Sequence, residues 1–384
     1  MKIVVTTLEG MEEVCAAELA ALHLQNIQLQ KRSVACEGNW TQLYKCNYLL
    51  RTAIRVLVPI YGAEVTTQDE YYEAMRSIDW SRYISEGKTF AISAAVFSDI
   101  FTNSLFATYR VKDAILDQLR DEKGYRPNID IDNPDIAINV HLNRETLSVS
   151  LDSTGRSLHL RGYKERAYKA PLNEVFAAGI IKLSGWDMKQ PFYDPMCGSG
   201  TFTTEALMLA AKIPAGKFIE SFCFQNWPEY EPDMWESVTK TADAEIQEPE
   251  CEMYASDINS YAVRDLRKNL QRLSHKKHIQ IKEQDFLEAS GRSDVVLFLN
   301  PPYDQRVKVK NVTEFYRKIA DALKTNWQGS TAWVLSGNAQ AMKSFGLKYS
   351  AKISMDNGGI PTKLYKFEMY AGSKKSKYQN DEVS

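Results

Sequence analysis

Asp294-Val295-Val296-Leu297-Phe298-Leu299-Asn300-Pro301-Pro302-Tyr303 is an almost unbroken apolar run that ends in an abrupt stop. An apolar run of this length reads as a strand buried on both faces of a mostly parallel sheet. Two consecutive prolines remove two backbone donors and fix two φ angles, so the chain must leave the sheet in a rigid, extended turn. In open α/β sheets, ligands bind beyond the carboxyl ends of the strands. A stiff loop at that edge is a place for chemistry. The side-chain carbonyl of Asn300 and the backbone carbonyl of Pro301 are two acceptors held close together, which suits an NH2 group with two hydrogens to donate. Pro302 stiffens the turn, and Tyr303 offers a flat face for a ring. Together they describe a clamp for the exocyclic amine of a nucleobase lifted out of its stack. Asn and Pro also make ordinary strand-ending turns, so the upstream sequence has to decide between the two.

Upstream, Pro191-Phe192-Tyr193-Asp194-Pro195-Met196-Cys197-Gly198-Ser199-Gly200-Thr201 reads as a short strand, a glycine turn and a helix over 201–211. The glycines let the backbone approach a ligand, and the helix N-terminus offers free N–H groups. The turn lacks the Gly-Lys-Ser/Thr of a phosphate-binding loop and the full dinucleotide glycine pattern. Cys251-Glu252-Met253-Tyr254-Ala255-Ser256-Asp257 is a strand ending in an acid, and a carboxylate there can accept from both hydroxyls of a ribose. Ile279-Gln280-Ile281-Lys282-Glu283-Gln284-Asp285-Phe286 is a second strand that ends in an acid. A helix is expected over 174–187, and the chain closes with a strand pair around Asn357-Gly358-Gly359. The stretch 213–248 is an insertion, read as a packed lid or spacer.

The glycine turn resembles the Asp-Pro-x-x-Gly-x-Gly-Thr loop of class I S-adenosylmethionine (SAM) methyltransferases, and Asn300-Pro301-Pro302-Tyr303 resembles the motif of amino-methyltransferases. The resemblance implies a Rossmann-like α/β domain, a seven-stranded mostly parallel sheet with an antiparallel hairpin. It implies cofactor contacts from Asp194, Pro195, Cys197, Gly198, Ser199, Gly200 and Thr201, then from Asp257 and Ile258, and then from Asp285 and Phe286. In the family pattern Asp285 accepts from the adenine amine and Phe286 packs near the ring. The catalytic group is Asn300, Pro301, Pro302 and Tyr303. S-adenosylhomocysteine (SAH) would be the product, and no metal is called for. Members of the family usually carry Gly after the Tyr, where this chain has Asp304.

The first third reads as strand, helix, strand, strand, helix, strand over residues 2–61, the order of a ferredoxin-like split βαβ unit. Residues 66–152 follow as helix, strand, helix and a strand pair. With Ser104-Leu105-Phe106 and Val111-Lys112-Asp113-Ala114-Ile115, this unit resembles a THUMP domain, a module of RNA-modifying enzymes. The segment 156–169 has five cations, one acid and two tyrosines, a composition that suits phosphates and exposed bases. Arg161, Lys164, Arg166 and Lys169 are its RNA-contact candidates. Arg306 and Lys308, just after the clamp, are candidates for phosphate binding. The expected domains are 1–65 (ferredoxin-like α+β), 66–160 (THUMP) and 161–384 (methyltransferase).

At 384 residues, 44% hydrophobic and 25% charged, the chain has the composition of a globular protein with several cores. Its net charge of −2 leaves any nucleic-acid binding to local patches. Met1-Lys2-Ile3-Val4-Val5 opens as a strand rather than a targeting leader, and no apolar run is long enough to span a bilayer. The six cysteines show no paired spacing, which fits a reducing cytoplasm and argues against zinc. Cys197 reads as a small loop residue rather than a nucleophile, and His275 and His278, which flank Lys276-Lys277, read as a surface loop. As a whole the chain resembles the bacterial large-subunit ribosomal RNA guanine-N2 methyltransferases. That implies structured RNA as partner, with neither a membrane nor an obligate protein partner. Transfer-RNA guanine-N2 enzymes share the layout, and the same motif serves adenine-N6 methyltransferases acting on DNA.

Overall fold

The structure is a computed structural model that describes residues 1–164, 171–302 and 311–370. Its contacts divide the chain into two units. One comprises residues 1–8, 15–160 and 216–242, the other residues 9–14, 161–215 and 243–384.

The first unit contains β1 (Lys2–Thr7), α1 (Glu12–Ala21, whose first residues belong to the second unit), β2 (Gln25–Gln30), β3 (Ser33–Glu37), α2 (Trp40–Leu49), β4 (Ala53–Glu64), α3 (Gln68–Arg76), β5 (Thr89–Phe97), α4 (Ser104–Lys123), β6 (Asn128–Ile129), β7 (Ile136–Asn143) and β8 (Thr146–Asp152). Local chemistry sets the helix ends. Asn39 and Gln42 form a reciprocal capping box at the start of α2, and α4 runs from an Asn103 cap to Gly124 in the left-handed region. The strands form one sheet in the order β2-β3-β1-β4-β8-β7-β5-β6. The sequence suggests two separate sub-domains here, but β4 joins them. Its first residues, Ala53 to Leu57, pair with β1, and the stretch from Leu57 to Glu64 pairs with β8.

The second unit contains α5 (Glu174–Leu183), β9 (Phe192–Asp194), α6 (Thr201–Ala210), α7 (Pro232–Ala244, most of it in the first unit), β10 (Met253–Asp257), α8 (Ser260–Asn269), β11 (Ile279–Glu283), β12 (Val296–Leu299), α9 (Val312–Asn326), β13 (Thr331–Ser336), α10 (Ala339–Lys343), β14 (Ala351–Asp356) and β15 (Pro361–Glu368). The sheet order is β11-β10-β9-β12-β13-β15-β14. Strands β9 to β13 run parallel, and β15 is antiparallel to both β13 and β14. This is the expected Rossmann-like sheet with its closing hairpin. Every residue of β12 is buried, as its unbroken apolar run requires. Phe298 stacks on Phe192 of β9 at 5.1 Å between centroids and meets Phe202 of α6 at 5.7 Å, which fixes the helix after the glycine turn against the sheet. The strand order reverses between β9 and β12, the topological switch point where such sheets bind ligands.

The insertion, read from the sequence as a packed lid or spacer, is packed. Its residues 216–242 belong to the first unit. Phe222, Phe224, Trp227 and Val238 are part of the first unit's core. Phe224 stacks on Tyr44 at 4.7 Å, and Trp235 meets the edges of Tyr44 and Tyr48. Backbone bonds seal the seam, from Gly216 to Tyr48 and from Phe224 to Ser153.

Candidate active site

Strand register brings the separate motifs to one edge. Asp194 lies level with Ala255 of the neighbouring strand, so Asp257 projects two residues beyond it. On the other side Leu297 is level with Tyr193, so Asn300 projects equally far from β12. Asp257 is level with Glu283, which puts Asp285 beyond the end of β11. With strands about 4.8 Å apart, Asp285, Asp257, Asp194 and Asn300 line the carboxyl edge in that order.

The glycine turn is built for close approach. Gly198 N donates to the Asp257 carboxylate at 2.9 Å, and Cys197 N donates to the Ser256 carbonyl at 2.9 Å. Gly200 N reaches back to the Cys197 carbonyl at 2.7 Å, closing a tight turn. Gly200 has φ +85°, a conformation strained for any L side chain, and a Cβ there would lie 2.1 Å from Leu266 Cδ1 of α8, so Leu266 would have to shift. Asn269 of α8 donates to the Ser199 carbonyl at 3.1 Å, and the Thr201 hydroxyl donates to the Leu172 carbonyl at 3.3 Å. The second oxygen of Asp257 accepts from Asn259 N at 2.9 Å, and Ile258 beside it is 69% exposed.

Among the described residues, two buried oxygens at this edge have no hydrogen-bond partner, Asp194 Oδ1 and Asn300 Oδ1. The other oxygen of Asp194 accepts from the Thr203 hydroxyl at 2.8 Å. Burial is the main influence on this carboxyl and pushes it up to about 7, with Thr203 opposing and the Asp257 charge adding. Pro195 follows in the turn, with its carbonyl within 3.4 Å of the Ser256 hydroxyl. Pro301 is buried and Pro302 half-buried. Burial, then the charges of Asp194 and Asp257, raises the Cys197 thiol well above its usual range, so this sulfur is not a nucleophile poised as thiolate. Asp285 caps the 3-10 turn 286–288 by accepting from Leu287 N at 2.9 Å. Phe286 is buried and stacks on Trp327 at 6.0 Å, so its ring also serves the core under the site.

The basic linker looks different in three dimensions. Arg161 is 2% exposed and pairs with buried Glu205 of α6 at 3.4 Å, and the Tyr163 hydroxyl donates to the same carboxylate at 3.2 Å. Burial there, the neighbouring acids adding, pushes the Tyr163 hydroxyl well up and keeps it a donor. An enclosed guanidinium cannot meet an RNA phosphate, so the expected RNA contact at Arg161 is replaced by an internal ion pair. Lys164 pairs with Glu174 at 2.7 Å. Tyr303, Arg166, Lys169, Arg306 and Lys308 lie outside the described residues. Sequence reading missed Glu205, which looks like any helical acid.

Residues 161–366 match a family model described as "RMKL-like, methyltransferase domain". The chain belongs to the RMKL-like methyltransferase family. A THUMP domain model matches residues 65–152 of this RMKL-like chain, and a model of the RlmL ferredoxin-like domain matches residues 2–57. The chain is 36% identical over 95% of its length, and 96% of the relative's, to a Synechocystis protein named "Putative RNA methyltransferase slr0064". It is 30% identical to the ribosomal RNA large subunit methyltransferase K/L of Syntrophotalea carbinolica, over 96% of this chain and 54% of that one. The RMKL-like chain thus spans about half the length of the K/L relatives it matches. The crystal structure of SMU.472, complexed with SAH, is similar with a TM-score of 0.85 and 27% identity, covering 97% of this chain and 99% of that one. Among the described residues, no helix is long and apolar enough to cross a membrane.

Proposed function

We propose that this RMKL-like methyltransferase transfers a methyl group from SAM to the exocyclic N2 amine of a guanine in large-subunit ribosomal RNA, acting in the cytoplasm. The observation that carries the reading is Asn300 Oδ1, a buried acceptor with no donor among the described residues, at the switch point of the sheet. An unmet buried acceptor is costly, and a donor arriving from a ligand relieves that cost. The printed names of the K/L relatives favour ribosomal RNA as the substrate.

The residues present fit the cofactor. Asp257 has lone pairs left for two ribose hydroxyls, Ile258 offers an apolar surface to adenine, and Asp285 stands next along the edge for the adenine amine. The buried Asp194 carboxylate and the glycine turn suit the amino-acid end. SAM brings a methyl group already activated on a sulfonium, so the direct displacement calls for no metal. The protein's own contribution is positioning. A base amine is a poor nucleophile because its lone pair is delocalised into the ring. Asn300 Oδ1 and the Pro301 carbonyl accept its two hydrogens, favour a pyramidal nitrogen and direct the lone pair along the sheet edge. Tyr303 and Pro302 hold the ring plane.

Incubating the full chain with methyl-labelled SAM and either total RNA or DNA, followed by nucleoside analysis, tests this reading. N2-methylguanosine in the large ribosomal RNA is expected. Label in DNA, or in N6-methyladenosine, would replace guanine N2 by adenine N6.

A further inference from the structure

Residues 260–278 carry Arg264, Arg267, Lys268, Arg272, Lys276 and Lys277 against a single acid, Asp265. That acid is buried, 8% exposed. In a chain of net charge −2 this is a strong local excess of positive charge. The two faces of α8 have different tasks. Its inner face, with Val263, Leu266 and Asn269, is buried, and Leu266 and Asn269 hold the glycine turn. On the outer face Tyr261, Arg264 and Lys268 recur at three- and four-residue spacing and so lie in one stripe. Tyr261, in the first turn next to Ile258, is 58% exposed, with the Arg264 guanidinium 5.0 Å from its ring centroid.

A merely solvated helix face mixes both signs and pairs them along the helix. The outer face of α9 does so, with Lys318 paired to Glu314 and Lys324 to Asp321. The outer face of α8 does not. Arg267 and Arg272 donate to the Ile281 and Gly162 carbonyls, and Lys277 and His278 share Glu248. Arg264, Lys268 and Lys276 have no acidic partner among the described residues. The bond from Arg272 to Gly162 also ties this stripe to the basic linker, whose own Arg161 and Lys164 are engaged internally.

We infer that the outer face of α8 and the segment that follows it form a track for RNA phosphates leading to the cofactor end of the site, with Tyr261 as a platform for an unpaired base. This rests on the RNA-methyltransferase reading and names the surface that grips the substrate. Cations one helical turn apart match successive phosphates of a flexible single strand, and an exposed ring with a cation over it stacks a base without regard to its identity.

The test is the full-chain triple variant Arg264→Gln, Lys268→Gln, Lys276→Gln, assayed on ribosomal RNA. KM for RNA should rise on the order of tenfold with kcat little changed, and the slope of log affinity against log salt should fall by about 2 to 3, as three lost phosphate contacts require. Affinity for SAH, measured by calorimetry, should not move, which verifies the fold and the loop. Tyr261→Ala should leave the salt slope intact and weaken binding of loop RNA but not of fully paired RNA. An unchanged KM and slope in the triple variant would overturn the track. A wild-type chain that binds RNA with this slope but methylates only DNA would instead overturn the substrate reading, and because the slope is a binding measurement it needs no turnover.

Discussion

Asn300 carries two opposed consequences. As a buried oxygen with no donor among the described residues it costs the folded protein stability. In the proposed mechanism it is also the acceptor for the reacting amine, and there it would speed the reaction. Asn300→Ala should therefore leave thermal stability equal or slightly higher while single-turnover methylation at saturating RNA falls about a hundredfold, on the order of 3 kcal/mol. SAM affinity should stay near the wild-type value, since the proposed partner of this side chain is the base rather than the cofactor. Normal turnover in this variant would remove the clamp from the mechanism. The Asn-Pro-Pro-Tyr stretch was legible because a strand that stops at two prolines is a local event. Arg161 was not, because only the approach of α6, more than forty residues later in the chain, places Glu205 beside it.

At the scale of elements, the segment 216–242 is the part of the chain whose place could not be read in advance. Its Trp227, Pro228 and Trp235 announce packing but do not say against what. The structure gives Phe224 a stack on Tyr44 and a second on Phe222, all inside the first unit. Phe224→Ala should lower the stability of that unit by about 3–5 kcal/mol, the range for a large buried ring replaced by a cavity. Urea unfolding followed in the first unit should show the shift. An unchanged midpoint would mean that the insertion only rests on the surface. Helix α8 shows the complementary case: its apolar spacing is readable, yet the use of its outer face depends on which cations the neighbouring elements leave unpaired.

For the molecule as a whole, the sequence suggests cutting after residue 160 to obtain an independent RNA-binding half. The contacts also break between 160 and 161, but they add residues 216–242 to that half's core. A fragment 1–160 would expose the faces of Tyr44 and Tyr48 that the insertion covers. It should unfold with lower cooperativity and at lower temperature than the same unit in the full chain, as followed by circular dichroism. A fragment that melted as sharply and as high as in the full chain would show the insertion to be dispensable.

The sequence by itself determined the strand-end motifs, the parallel sheet they imply and the glycine turn that leads into a helix. Each of these is written within a few residues, as an apolar run, a proline stop, a glycine turn or an acid after a strand, and backbone geometry over such distances is local. Tertiary structure alone decided that β4 would join two sub-domains into one sheet and that an insertion would close the core of the other unit. It also decided that Arg161 would be enclosed while Arg264 and Lys268 kept no acidic partner among the described residues. These outcomes turn on which distant surface reaches a side chain first. No periodicity records that choice, because burial and ion pairing are settled between segments far apart in the chain.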